Sequence, residues 1–93
     1  MNRKTVIILG APSGIGKATA ERFAKEGWQV MGASSNFKKV NNVITALPGT
    51  GHYAYEVDVR NEEHIHRLKE EIIANQGGFH TLVNSVGISC GAP

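Results

Sequence analysis

Three clustered glycines could form a binding site for a phosphate group. They stand at Gly10, Gly14 and Gly16 in the segment GAPSGIG, between a short apolar run and a pattern of helical spacing. Glycine permits a tight exit from a strand and lets a ligand approach the backbone without a Cβ in the way. The free N–H groups of the following helix would then point at an anion such as the pyrophosphate of a dinucleotide. The alternative is a glycine-rich connector that binds nothing.

The same residues nearly fit a second phosphate-binding motif. In the nucleoside-triphosphate loop, four residues precede Gly-Lys and a hydroxyl residue follows to hold Mg²⁺. The segment from Ala11 to Lys17 supplies the Gly-Lys pair, but Ala18 follows it. Because the metal would lack that hydroxyl ligand, we expect Lys17 to be a solvated residue of the helix. The spacing of the glycines favours a dinucleotide over a nucleoside triphosphate.

The elements that must position this loop alternate between strand and helix. Short apolar or β-branched runs predict strands over Thr5–Leu9, Trp28–Ser34, His52–Val59 and Phe79–Asn84. Apolar residues at helical spacing predict a first helix that ends at Gly27, a second with the stripe Val40, Val43, Ile44 and Leu47, and a third between Asn61 and Gly77. Strict alternation with short connections predicts an α/β fold, in which a parallel sheet carries helices on both faces.

Polar or small residues stand at the carboxyl end of every predicted strand. They are Gly10, Ser34, Asp58 and Asn84. In an open parallel sheet a ligand binds beyond the carboxyl ends of the strands, so we expect these four residues to line one crevice. Each has a structural alternative, since Asp58 could accept backbone bonds at the start of the next helix and Asn84 could close its strand in a turn.

Three motifs, taken in order, resemble the short-chain dehydrogenase/reductase family, and within it the ketoacyl-carrier-protein reductase type. The motifs are the glycine segment with Ile15, the pair Asp58-Val59, which in the family contacts adenine, and Asn84-Ser85-Val86-Gly87, which looks like the family's Asn-Asn-Ala-Gly. The resemblance covers nearly the whole chain. It implies a Rossmann-type three-layer sandwich with a four-stranded parallel sheet of order 3-2-1-4.

The motifs and strand ends together give the expected cofactor-binding residues. These are Gly10, Ser13, Gly14, Ile15, Gly16, Ser34, Ser35, Asn36, Asp58, Val59, Asn84 and Gly87. NADP is favoured over NAD, because no acidic residue follows the second strand to repel a 2′-phosphate. Ser34, Ser35 and Asn36 could hold that phosphate, with Lys38 or Lys39 adding charge. Many NADP-dependent members carry a basic residue where this chain has Ser13.

The catalytic residues of the family cannot be placed in this sequence. In the family a Ser, an Asn and a Tyr followed four residues later by Lys carry the reaction, whereas Val57 and Val59 lie four residues beyond Tyr53 and Tyr55. The resemblance therefore implies the amino-terminal, cofactor-binding half of an NAD(P)-dependent oxidoreductase that acts on a small carbonyl or alcohol. The alternative is a module that binds a dinucleotide, or nothing, and catalyses no reaction.

Length and composition exclude several other classes of protein. A chain of 93 residues accommodates one domain, and a single cysteine, Cys90, cannot form an internal disulfide, which favours a cytoplasmic location. The longest apolar run is too short for a membrane span or a signal peptide. The net charge of +2 is scattered, so a nucleic acid partner is not expected. His64 and His66 point apart on a helix and cannot share a metal.

An assembly of several copies is expected from the sheet edge. The fourth predicted strand would expose unpaired backbone groups beside apolar surface unless another strand covered it. We therefore expect the protein to form a homo-oligomer.

Overall fold

The computed structural model describes residues 4–10, 14–58 and 60–85, and the strands in this part of the chain form one parallel sheet. The strands are β1 (Thr5–Leu9), β2 (Gln29–Ser34), β3 (Tyr53–Glu56) and β4 (Thr81–Asn84). Their order across the sheet is β3-β2-β1-β4. The predicted parallel sheet and its order 3-2-1-4 are confirmed.

Three helices connect the described strands, and asparagine or glycine marks several of their ends. They are α1 (Gly14–Lys25), α2 (Phe37–Thr45) and α3 (Glu62–Gln76). The side chain of Asn61 accepts the backbone N–H groups of Glu63 and His64, which caps the first turn of α3. Gly77 ends the same helix with a φ of 84°, a left-handed conformation that favours glycine.

Three of the predicted strands were too long. β3 stops at Glu56 because its last ladder partner, Ser34, is the final residue of β2. β4 begins at Thr81, which pairs with Val6 of β1, instead of at Phe79. β2 begins at Gln29 instead of Trp28. A parallel strand extends only as far as its neighbour can pair with it. The residues of one strand alone therefore do not predict where that strand begins or ends.

Alternate residues of β1 face two different helical layers, which makes the sheet the middle of three layers. Val6 and Ile8 belong to one buried cluster and Ile7 and Leu9 to the other. The first cluster takes Ala20 and Ala24 from α1 and Val40 and Ile44 from α2, whereas the second takes Leu68 and Ile72 from α3. β1 is thus covered on both faces. This burial explains why the sequence has a continuous apolar run at the central strand.

Candidate functional site at the carboxyl edge of the sheet

The structure brings the predicted strand-end residues to one edge of the sheet. Gly10 follows β1, Ser34 ends β2 and Asn84 ends β4, while Asp58 lies two residues beyond β3. Backbone bonds extend the ladders past the strands here. The N–H of Gly10 donates to the carbonyl oxygen of Ala33 at 2.8 Å, and the N–H of Val57 donates to that of Ser34 at 2.9 Å. The edge is therefore a continuous, hydrogen-bonded rim.

The glycine loop leaves β1 through a left-handed residue. Gly10 has a φ of 82°, a conformation that residues with a Cβ rarely adopt. Ser13 lies outside the described residues. Gly16 is buried and begins a stripe of small residues with Ala20 and Ala24, which lets α1 lie close to the sheet. Ile15, one residue earlier, is 41% exposed.

Gly14 is explained neither by its backbone conformation nor by packing within the described structure. It is the first residue of α1 and does not have a positive φ, unlike Gly10, Gly27 and Gly77. A Cβ built on Gly14 would meet no atom of the described residues within 4 Å, apart from its chain neighbours and the backbone of its own helix. The residue therefore keeps an open space beside the amino-terminal N–H groups of α1. A phosphate group that approaches the backbone there would account for the glycine, so these residues fit a dinucleotide cofactor.

The end of β2 leads directly into the amino terminus of α2. The backbone N–H of Asn36 donates to the hydroxyl oxygen of Ser34 at 3.1 Å, and the side-chain oxygen of Asn36 accepts the N–H of Lys39 at 3.1 Å. Asn36 thus caps α2, a role that its prediction as a cofactor contact did not include. The first turn of α2 has no acidic residue. Ser35, Asn36 and Lys38 are exposed, so the positive end of the helix is open to an anion.

Asp58 closes the turn between β3 and α3. Its carboxylate accepts the N–H of Arg60 at 3.0 Å, and its carbonyl oxygen accepts the N–H of Asn61 at 2.9 Å. The N–H of Asp58 donates to Nδ1 of His64 at 3.3 Å. The structural alternative for Asp58 is therefore observed, because the carboxylate accepts a local backbone bond before α3. Val59, the other residue of this motif, lies outside the described residues.

Ser85 is a residue of this rim that was absent from the predicted site. It is fully buried, and its hydroxyl donates to the carbonyl oxygens of Leu9 at 2.8 Å and Gly10 at 3.0 Å. It thereby ties the end of β4 to the start of the glycine loop. The signal was present in the Asn-Asn-Ala-Gly-like motif, where Ser85 follows the exposed Asn84. Gly87, the last residue of the motif, lies outside the described residues.

Other kinds of site have little support in the described part of the chain. Lys17 is exposed on α1, as expected for a solvated residue. No group of three or more His, Cys, Asp or Glu side chains in residues 4–10, 14–58 and 60–85 could hold a metal ion. None of the helices described above is long and apolar enough to cross a membrane.

Comparison with known proteins supplies the family context for this edge. A model of the short chain dehydrogenase family matches residues 4–93. The chain is 34% identical over 90 residues to a serine 3-dehydrogenase of Rhizobium radiobacter and 34% identical over 88 residues to the 3-oxoacyl-(acyl-carrier-protein) reductase FabG of Buchnera aphidicola. These alignments cover 94% and 95% of this chain but 34% and 36% of the relatives, so the chain spans about a third of their length.

Solved structures show the same fold. A short chain dehydrogenase from Bacillus anthracis superposes with a TM-score of 0.77 at 35% identity, over 87% of this chain and 34% of the other. A 3-ketoacyl-(acyl-carrier-protein) reductase from Brucella melitensis, solved in complex with NADH, superposes with a TM-score of 0.77 at 28% identity, over 85% of this chain and 32% of the other.

Proposed function

This chain belongs to the short-chain dehydrogenase family, and we propose that it binds NADP or NAD at the carboxyl edge of its sheet as the cofactor-binding part of an oxidoreductase. The reaction would transfer a hydride between the nicotinamide and a small carbonyl or alcohol. The observation that carries the proposal is Gly14, whose missing side chain leaves open space at the amino terminus of α1. A similar reductase, from Brucella melitensis, was solved with NADH.

Different residues of the rim would bind different parts of the cofactor. Gly10, Gly14 and the first N–H groups of α1 would receive the pyrophosphate. The rim around Asp58 would receive the adenine end, and Asn84 would line the crevice on the β4 side. The nicotinamide supplies the hydride chemistry when it is bound. The protein residues bind the cofactor and fix its orientation.

The end of β2 supports NADP as the preferred cofactor. An acidic residue at this point would hydrogen-bond the ribose hydroxyls of NAD and repel a 2′-phosphate. Here Ser34 is followed by an exposed helix terminus without an acid, and Lys38 and Lys39 are exposed in the first turn. The dipole of α2 and the lysines would both favour the extra phosphate of NADP. Because the side-chain oxygen of Asn36 caps the helix, the serine hydroxyls and amide N–H groups would bind the 2′-phosphate.

Proton transfer to the substrate would fall to residues other than those described. Neither Tyr53 nor Tyr55 is followed four residues later by Lys, and we assign no catalytic residue within this sequence. This observation favours one alternative, in which the chain binds a dinucleotide and catalyses no reaction by itself.

We further propose a cytoplasmic homo-oligomer, because the sequence has a single cysteine and because β4 pairs only with β1 within the described structure.

Fluorescence titration tests the proposed cofactor site. NADPH and NADH are added separately to the chain, and the enhancement of nicotinamide emission is followed; saturable binding with a lower Kd for NADPH is expected. Mg²⁺-dependent binding of ATP without binding of either dinucleotide would contradict the proposal. A second assay follows the oxidation of NADPH in the presence of small ketones. Binding without turnover would support the non-catalytic alternative, and turnover would exclude it.

A further inference from the structure

Phe37 is a large hydrophobic side chain at the amino terminus of α2 that the core does not bury. It begins an apolar stripe at helical spacing that continues with Val40, Ile44 and Leu47. These three side chains are at most 6% exposed, whereas Phe37 is 43% exposed. α2 packs on β2 and β3, and it begins shortly after β2 ends at Ser34. The buried part of the stripe therefore covers the sheet, while Phe37 lies at the carboxyl edge.

The ring of Phe37 has no aromatic partner within residues 4–10, 14–58 and 60–85. The other two phenylalanines of the chain do pack against apolar groups. Phe23 contacts Trp28 edge-on, with ring centroids 4.7 Å apart, and Phe79 packs against the second buried cluster. A single exposed ring is common on protein surfaces, so the position of Phe37 must decide whether its exposure has a use.

The exposed large hydrophobic side chains of the described residues fall at the two edges of the sheet. Tyr53 begins β3 and Ile73 lies in the last turn of α3, both at the amino edge. Ile15 and Phe37 lie at the carboxyl edge, in the first turns of α1 and α2. Since α1 and α2 contribute to the same buried cluster, they cover the same face of the sheet. Two neighbouring helices thus each place an exposed apolar side chain at the edge that holds the candidate site.

We propose that the ring of Phe37 stacks on the adenine of the bound dinucleotide, an inference that rests on the cofactor site proposed above. In that site the pyrophosphate lies at α1, which follows β1, and the adenosine ribose lies at Ser34, where β2 ends. The adenine is attached to the side of this ribose that is remote from the pyrophosphate. Because β3 lies beyond β2 in the sheet, the base continues along the carboxyl edge towards β3, over which α2 packs.

Phe37 and Asp58 lie on either side of this position. α2 and α3 belong to different buried clusters on opposite faces of the sheet, so Phe37 approaches the edge from one face and the turn at Asp58 from the other. An aromatic side chain suits this contact because every base has a π face, which stacks without a hydrogen bond. The contact is the same for NADP and NAD. Phe37 therefore adds affinity for both cofactors, and the discrimination between them remains with the residues that receive the 2′-phosphate.

Fluorescence titration of Phe37 variants with NADPH and NADH tests the stacking. F37A should raise the Kd for both dinucleotides by the same factor of about tenfold, which leaves their ratio unchanged. F37Y keeps the ring and should bind as the wild type does. F37L keeps apolar volume without a flat ring, and its Kd should lie closer to that of F37A. The control I73A removes an exposed hydrophobic side chain at the opposite edge and should keep the wild-type Kd. A wild-type Kd in F37A, or an F37Y as weak as F37A, would overturn the inference.

A tryptophan at position 37 provides a second readout. The wild-type chain has a single tryptophan, Trp28, which directly precedes β2 at the amino edge. Adenosine 2′,5′-bisphosphate carries the base and the 2′-phosphate but no nicotinamide, and it should quench tryptophan emission saturably in F37W but not in the wild type. If F37W bound NADPH without any such quenching, the role of Phe37 would be wrong and the cofactor site would stand. If the wild type bound neither dinucleotide, both the inference and the proposed function would be overturned.

Discussion

The hydroxyl oxygen of Ser85 lies 2.8 Å from the carbonyl oxygen of Leu9, and the backbone N–H of Ser85 donates to the same carbonyl at 3.0 Å. These two bonds connect the carboxyl ends of β4 and β1. Since the hydroxyl also contacts the carbonyl oxygen of Gly10, the residue after β4 holds the first residue of the glycine loop. The loop is therefore anchored by a part of the chain that is distant in sequence.

Removal of the Ser85 hydroxyl should destabilise the fold. In S85A the buried carbonyl of Leu9 and the half-buried Gly10 lose a donor, and we expect the free energy of unfolding to fall by about 1–3 kcal/mol. Urea denaturation measures this change. The control S35A removes a hydroxyl from an exposed position at the same edge and should change stability by less than about 0.5 kcal/mol. Equal stability of S85A and S35A would argue against this anchoring role.

A methyl group on Gly14 should separate cofactor binding from stability. In G14A the new Cβ meets no described atom, and alanine suits a helix better than glycine, so stability should be unchanged or higher by up to about 1 kcal/mol. The methyl group would occupy the space proposed for the pyrophosphate, and we expect the Kd for NADPH to rise at least about tenfold, or about 1.4 kcal/mol. Fluorescence titration measures the Kd.

The matched control for G14A is K17A on the same helix. Lys17 is exposed, and a dinucleotide site has no need of its charge, so K17A should bind NADPH with nearly the wild-type Kd. Loss of NADPH binding in K17A, with normal NADPH binding in G14A, would instead favour the nucleoside-triphosphate loop.

An acid at the end of β2 should reverse the cofactor preference. In S34D the new carboxylate can still accept the N–H of Asn36, as the Ser34 hydroxyl does, but it repels a 2′-phosphate. The ratio of the Kd for NADPH to that for NADH should therefore increase by about tenfold or more. S34N, which has the same shape without the charge, should change the ratio little. A similar shift in both variants would mean that shape, and not charge, controls this position.

Loss of the α3 cap should lower stability by a moderate amount. In N61A the N–H groups of Glu63 and His64 lose the side-chain acceptor that caps them, which we expect to cost about 1 kcal/mol. Thermal or urea unfolding measures the change. The control N75A replaces an exposed asparagine on the same helix and should be neutral or slightly stabilising, because alanine has the higher helix propensity. If N61A were as stable as N75A, the cap would contribute nothing.

Local patterns predicted much of this fold because its central elements are defined by burial. Every residue of Thr5–Leu9 is buried, and the short run rich in β-branched residues predicted the observed bounds of this strand. The extent of β3 was predicted wrongly, because its length depends on where β2 ends. No local pattern contains that information.

The candidate site also combines features that local sequence predicts with features that depend on distant parts of the chain. Glycine spacing located the open space at Gly14, which depends only on the backbone and the adjacent helix. The capping role of Asn36 could have been recognised from its position before α2. The bond from Ser85 to Leu9 joins residues far apart in the chain, and only a folded sheet or the motif of a known family reveals such a contact.

A titration of the isotope-labelled chain with NADPH, followed by backbone amide chemical shifts, tests the central claim most directly. The account predicts saturable shifts that cluster at the carboxyl edge, at Gly10, Gly14, Ser34 and Asn84. The amide of Thr5, at the opposite edge, should not move. An absence of saturable shifts, or shifts confined to the opposite edge, would contradict the assignment of this rim as the dinucleotide site.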